Sequence, residues 1–247
     1  MSIYIAIAIL LHVPYVQQQL GQTVANAVGK KIGTKVTVGR VDLGMLNRII
    51  ITNLAIDDLQ GDELLRVARL SAKFDLLPLL HGRITISNVQ LFGFHADLKR
   101  ETPESEPNFQ FIADALASKD TVKKESRLDL RINSLLVRRG RVAYNVASAP
   151  VTPGRFNSNH IYLKDIVATL SLKALNSDSI NASIKRMSLE EEESGFCLKK
   201  LSLKVVGNQQ GLRIDNFGIE LPHTHLQMDT LQMSYDSLGS FSRFAYE

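Results

Sequence analysis

Apolar residues in this chain recur in a fixed octet rather than in simple alternation. In Val36-Thr-Val-Gly-Arg-Val-Asp-Leu43, Ile49-Ile-Ile-Thr-Asn-Leu-Ala-Ile56 and Ile84-Thr-Ile-Ser-Asn-Val-Gln-Leu91 they occupy the first, third, sixth and eighth places. A strand turns successive side chains to opposite faces, so the first two apolar places would oppose the last two unless the middle pair forms a bulge that resets the register. The bulge is the expected outcome: it keeps one face apolar while bending and twisting the strand, which is how a sheet acquires curvature. The octet returns at residues 130–137 and 161–168, with a strand at 140–145 between them, and again from Ala182, Phe196, Leu212 and Leu226. These last four starts are 14 to 16 residues apart, one strand plus one turn, which predicts an antiparallel meander with turns at 190–193 and 208–211.

Other patterns fill the spaces between octets. Pro14 suits the first turn of a helix, along which Val16, Leu20, Val24 and Val28 recur every fourth residue until Lys30, Lys31 and Gly33 close it. So narrow a stripe suits a helix that plugs the end of a sheet better than one lying at a membrane interface. Residues 57–62 form a turn, and 64–74 a strand with Leu64, Ala68, Leu70, Ala72 and Phe74 on one side and Arg69, Ser71 and Lys73 on the other. A helical turn is expected around Pro78, ended by Gly82. Residues 101–124 turn polar around a short helix at 109–117, which Phe111, Ala115 and Leu116 would dock on the sheet.

At the start, residues 3–13 are strongly apolar but fall short of the about 20 needed to span a membrane, and no charged leader or cleavage motif marks a secretory signal. They read as the remaining end of a transmembrane anchor, or else as a buried N-terminal element. The organisation is thus 1–13 anchor remnant, 14–33 amphipathic helix, 34–100 first β unit, 101–127 polar insertion and 128–247 continuing β repeats, with further strands expected to follow. The fold class is mainly β: a long, curved, antiparallel meander with an N-terminal amphipathic helix and one or two short helices. A sheet closed as a barrel or sandwich over a dry core is the alternative.

Composition adds little to this picture. The 247 residues are 45% hydrophobic and 22% charged, as in ordinary folded proteins. The net charge of +4 comes from Lys and Arg spread along the chain with no aromatic-basic motif, which speaks against nucleic acid as a partner and is compatible with an anionic membrane surface. The single cysteine, Cys197, forms no intrachain disulfide and reads as packing within a strand.

The stretch from the uncharged N-terminus through the helix opened by Pro14, Gly33-Thr-Lys-Val-Thr-Val-Gly-Arg-Val41, Leu54-Ala-Ile-Asp-Asp58, residues 64–74, a Leu-Leu-Pro-Leu-Leu turn and Ile84-Thr-Ile-Ser-Asn-Val-Gln-Leu91 resembles the start of AsmA/TamB-like proteins. The resemblance covers about residues 3–100, and the remainder only through its repeated strands. It implies inner-membrane anchoring with the β region in the periplasm of a diderm bacterium. It further implies a curved, U-shaped sheet with a hydrophobic groove, used for phospholipid movement between membranes or, in the translocation and assembly module, for outer-membrane protein assembly. The family has no catalytic motif to carry over.

Catalytic chemistry finds no support in the sequence either: there is no glycine-rich phosphate loop, nucleophile elbow or pair of cysteine ligands, so neither enzyme activity nor a cofactor is expected. His223 and His225, read as sharing one strand face with Asp229 nearby, make a weak metal candidate. Residues 190–193 suit a solvated turn better than a calcium site, and Asp57, Asp58 and Asp62 read as turn formers. The positive signal is apolar lining. Two helices cannot cover some ten strands, and an inner face free of charges would shield acyl chains at about 0.8 kcal/mol per methylene, roughly 12 kcal/mol for sixteen carbons. The residues expected to line it are Ile50, Leu54, Ile56, Leu70, Phe74, Ile86, Leu91, Ile166, Leu170, Leu201 and Ile219, with phospholipid acyl chains as the ligand and an outer-membrane assembly partner as the alternative.

Overall fold

A computed structural model describes residues 14–44, 47–74, 84–117, 128–175, 179–208 and 210–234. The anchor expected at residues 1–13 and the helical turn around Pro78 lie outside them. Ten strands cross a single sheet in sequence order: β1 (Val36–Gly44), β2 (Arg48–Asp57), β3 (Glu63–Phe74), β4 (Ile84–Arg100), β5 (Leu128–Val146), β6 (His160–Leu175), β7 (Ser179–Glu191), β8 (Cys197–Asn208), β9 (Gly211–Glu220) and β10 (His225–Ser234). The sheet is open, with β1 and β10 at its two edges. The strand expected at 140–145 is not separate: it continues residues 130–137 within the 19-residue β5.

Eight of the nine neighbouring pairs are antiparallel, but β4 and β5 run parallel, so the expected antiparallel meander is corrected to a mixed sheet. The physical reason lies between them. Parallel neighbours need a crossover of a dozen or more residues, and the polar insertion at 101–127 provides that length. Its helix, α2 (Gln110–Ala117), packs Phe111 and Ala115 against the first helix, α1 (Pro14–Ile32), and β1. Asn108 pins the entry to the crossover: its side-chain amide donates to Asp58 Oδ2 at 3.2 Å and to the Asp97 carbonyl at 3.1 Å, while its Oδ1 accepts from Lys99 N–H. Asp58 is itself buried and accepts the N–H of Gln60 and Asp62, so its role as a turn former holds.

The register-resetting device is present in every strand. In β2, β4, β5, β6 and β9 it is a residue with positive φ at the fifth place of an octet: Asn53 (53°), Gly93 (63°), Arg139 (55°), Asp165 (48°) and Asn216 (53°). In β7 and β8 it is an extra residue in the ladder. Lys185 and Arg186, between Ile184 and Met187, face the single residue Ser202 of β8, and Lys199 and Lys200, between Leu198 and Leu201, face the single residue Ser188 of β7. In β1, β3 and β10 the ladder skips Gly39, Ala68 and Asp229, which lie opposite left-handed residues of their neighbours. Asn and Asp tolerate the left-handed region best after glycine, and four of the five residues are of these types.

The octet is also a palindrome, since reversing it exchanges the first place with the eighth and the third with the sixth. Antiparallel copies in full reverse register therefore pair apolar on apolar at both edges: Val36↔Ile56, Val38↔Leu54, Val41↔Ile51 and Leu43↔Ile49 at one; Ile219↔Leu226, Phe217↔Met228, Ile214↔Leu231 and Leu212↔Met233 at the other. The same rule exposes an octet that the sequence reading missed in β3, where Leu65, Val67, Leu70 and Ala72 oppose Ile56, Leu54, Ile51 and Ile49. The faces expected for this strand are accordingly corrected. Ala68 is exposed at the skipped position and does not share a face with Leu70.

Packing confirms that the reset keeps one face. Leu91 and Phe94, on either side of Gly93, join one cluster with Val137 and Val142 around Arg139 and with Leu163 and Ile166 around Asp165. At α1, Gln17, Gly21, Ala25 and Ile32 are buried, whereas Val28 is exposed. Small residues at Gly21 and Ala25 let the helix lie close to β1. A Cβ at Gly21 would sit 3.4 Å from Val38 and 3.8 Å from Val41, which places both halves of the β1 octet beneath the helix.

Gly140 occupies the sixth place of its octet, and the ring of Phe94 from β4 fills the space above it. Gly140→Ala should lower unfolding stability by about 1–3 kcal/mol through this overlap. Denaturant unfolding should show that Gly140→Ala combined with Phe94→Ala loses less than the sum of the single changes.

Candidate functional site

The candidate site is the face on which the apolar places of the octets line up. Its first corner is covered: Ala25 and Ile32 of α1 and Phe111 and Ala115 of α2 pack with Val36, Val38, Leu54 and Ile56. Leu54 and Ile56, expected as lining, therefore belong to the contact with the helices. Leu91, Ile166 and Leu170 are brought together in the second cluster, which spans β4 to β7 and includes Met187 and Leu189. Leu70 is opposite Leu91, and Leu201 opposite Ile219, so these four continue the same face on either side. Phe74 and Ile86 are register partners at the end of β3 and the start of β4.

Ile50 does not belong there. It lies at the second place of its octet, between Asp42 and Ser71 in register, on the face opposite Ile49 and Ile51. The run of three isoleucines hides this in the sequence, because any of them satisfies an apolar pattern. Lining residues that were missed include Phe94 and Val142, whose signal was a second octet overlapping the first within the long strands β4 and β5, and Leu163, at the third place of the octet at 161–168.

The histidine candidate dissolves on inspection of the turn. His223 lies in the loop before β10 and His225 is the first residue of that strand, both exposed, so they do not share a strand face. No group of three or more metal-ligating side chains occurs among the described residues. Cys197 is a half-buried free thiol at the start of β8, opposite Glu190.

Two carboxylates fix the elements that carry this face. Glu191 is buried at the β7–β8 hairpin. Burial pushes its pKa up, but the hydroxyl and N–H of Ser194 and the N–H groups of Glu193 and Tyr162 outweigh that and hold it below the ordinary glutamate value. Asp215 accepts from Arg213 Nε at 2.7 Å and Thr230 Oγ1 at 3.1 Å, and its pKa is lowered chiefly by Arg213.

On the opposite face, a hollow of about 640 Å³ crosses β2 to β5, lined by Thr52, Arg69, Ser71, Gln90, Phe92 and Arg138 among others. No helix among the described residues is long and apolar enough to cross a membrane. Searches against protein-family models and curated proteins find no match for this chain.

Because the Glu191 pKa is depressed in the folded state, its contribution is fully present above the unfolded glutamate pKa of about 4.3 and is lost as pH falls through the lower folded value. Glu191→Gln should cost about 1–3 kcal/mol at pH 7 and remove that part of the acid sensitivity. Urea titrations from pH 7 to pH 3 should show the difference between the two proteins shrinking with acid.

Proposed function

We propose that this chain is a non-enzymatic, AsmA/TamB-like segment of a membrane-anchored periplasmic protein, whose apolar sheet face forms a hydrophobic groove for phospholipid passage between inner and outer membranes. One observation carries the reading: apolar register partners run from β1 to β10, whereas helices pack only on the first corner among the described residues. A single sheet with one apolar face requires a cover, and a row of acyl chains is a cover that can move along it. The open sheet supports a groove over a closed dry core. Burying a sixteen-carbon chain on such a face avoids roughly 12 kcal/mol of hydration cost, enough to hold a lipid out of water.

A second reading is supported by the last strand. Among the described residues β10 leaves one edge unpaired and presents Leu226 and Leu231 at 55% and 39% exposure, as a strand awaiting a partner would. In this reading the chain is a scaffold for outer-membrane protein assembly through strand-edge contacts. Disulfide trapping in a Cys197→Ser background separates the two: adducts formed by Thr230→Cys favour the scaffold, and adducts formed by Leu201→Cys favour an occupant on the sheet face.

Leu70→Asp, Leu201→Asp and Ile219→Asp, combined, should reduce crosslinking to a photoreactive phospholipid at least tenfold, while Ser188→Asp on the other face leaves it unchanged. Far-UV circular dichroism checks that the sheet persists. Undiminished crosslinking in a folded triple variant would exclude the groove.

A further inference from the structure

The fourth and fifth places of each octet share the face opposite the apolar one, because the reset turns two consecutive residues the same way. In β5, β7 and β8 these places hold Arg138–Arg139, Lys185–Arg186 and Lys199–Lys200. All six side chains are exposed, and none has an ion-pair partner among the described residues. The intervening β6 contributes Lys164, which lies 3.9 Å from both Glu190 and Glu192, and the exposed Asp165. Ladder pairing aligns them. Val137 opposes Ala168, Val167 opposes Ser188, and Ser188 lies level with the Lys199–Lys200 bulge, while Lys185–Arg186 sits two to three residues further along β7. Four neighbouring strands span about 14 Å, so these six cations and Asp165 occupy a narrow band, with the exposed Glu220 of β9 opposite Lys200 at its margin.

We propose that this basic band is a docking surface for the anionic phospholipid headgroups of a bilayer, on the side of the sheet away from its apolar face. Charge complementarity favours this occupant, and the composition around the band separates it from other polyanions. Protein interfaces have cores depleted of lysine and rich in apolar anchors, whereas three of the six cations here are lysine and the residues flanking them on β7 and β8 are Ser183, Ser188 and Ser202, with Val167 of β6 the apolar residue level with them. A single-stranded nucleic acid would need free aromatic platforms, but Phe92 already lies beneath Arg139 at 5.4 Å and Tyr162 of β6 donates its hydroxyl to Asn145 Oδ1. A charged membrane surface needs only unpaired cations at the right distance, each contributing about fivefold in affinity near an anionic leaflet. The docking is independent of acyl-chain passage: it uses the opposite face and requires no lipid to leave the bilayer.

Vesicle sedimentation of the full chain tests it, comparing phosphatidylcholine vesicles with vesicles containing 30% phosphatidylglycerol. The phosphatidylglycerol-dependent binding should fall about thirtyfold in Lys199→Gln/Lys200→Gln and equally in Lys185→Gln/Arg186→Gln, and should vanish in 0.5 M salt. Lys30→Gln/Lys31→Gln removes the same charge from exposed positions on α1 and should leave it unchanged. Equal weakening by the α1 pair would show a net-charge effect and overturn the band as the determinant. Displacement of the vesicles by an equimolar acidic peptide or single-stranded oligonucleotide would reassign the surface to protein or nucleic acid. Because crosslinking of acyl chains is read on the other face, loss of one result with retention of the other distinguishes failure of the docking surface from failure of the groove.

Discussion

Everything in this molecule follows from a conflict between the period-two alternation of a strand and the need to keep one face of a ten-stranded sheet apolar along strands of up to 19 residues. A reset in each strand resolves the conflict. Asn53, Asp165 and Asn216 adopt left-handed backbone at a tolerable cost because their side chains are short and polar, and Lys185–Arg186 and Lys199–Lys200 reach the same result by inserting a residue. The polar pair at the reset is thus a structural requirement, and its charge is left open by the fold.

The palindromic spacing then makes each strand complementary to an inverted copy of itself. That property lets a meander continue with no change of code wherever an antiparallel neighbour meets the same arrangement in reverse; between β6 and β7 the register is staggered, and the β7 octet meets Ala168, Leu170 and Leu172 instead. The single parallel pair, β4 with β5, is where the rule is interrupted. It holds because both strands carry overlapping octets, so that Val89 and Leu91 still oppose Leu135 and Val137. Phe94 over Gly140 fills the one place where the octet lacks an apolar side chain.

The two faces consequently differ in kind. One gathers apolar groups into clusters that two helices cover at a single corner, and the other collects the polar pairs of successive strands into a band. Reading the first as a lipid path and the second as a bilayer contact assigns each face the part of a phospholipid that its chemistry matches: acyl chain to apolar stripe, phosphate to cation.

The strands, the helix opened by Pro14, the turns at Asp58 and at Asn208, and the bulge itself were legible in the sequence, because octet spacing, capping residues and turn formers act over a few residues. Where local signals were degenerate the sequence misled: three consecutive isoleucines concealed that Ile50 faces away, a leucine doublet concealed the octet from Leu65, and Val28 drew attention from the small-residue row of Gly21 and Ala25. The parallel pairing of β4 with β5 and the assembly of Arg138, Arg139, Lys185, Arg186, Lys199 and Lys200 into one band were decided only by the tertiary structure. Strand direction depends on where a crossover returns the chain, and proximity between residues some sixty positions apart depends on which ladders form, neither of which is encoded by any local pattern.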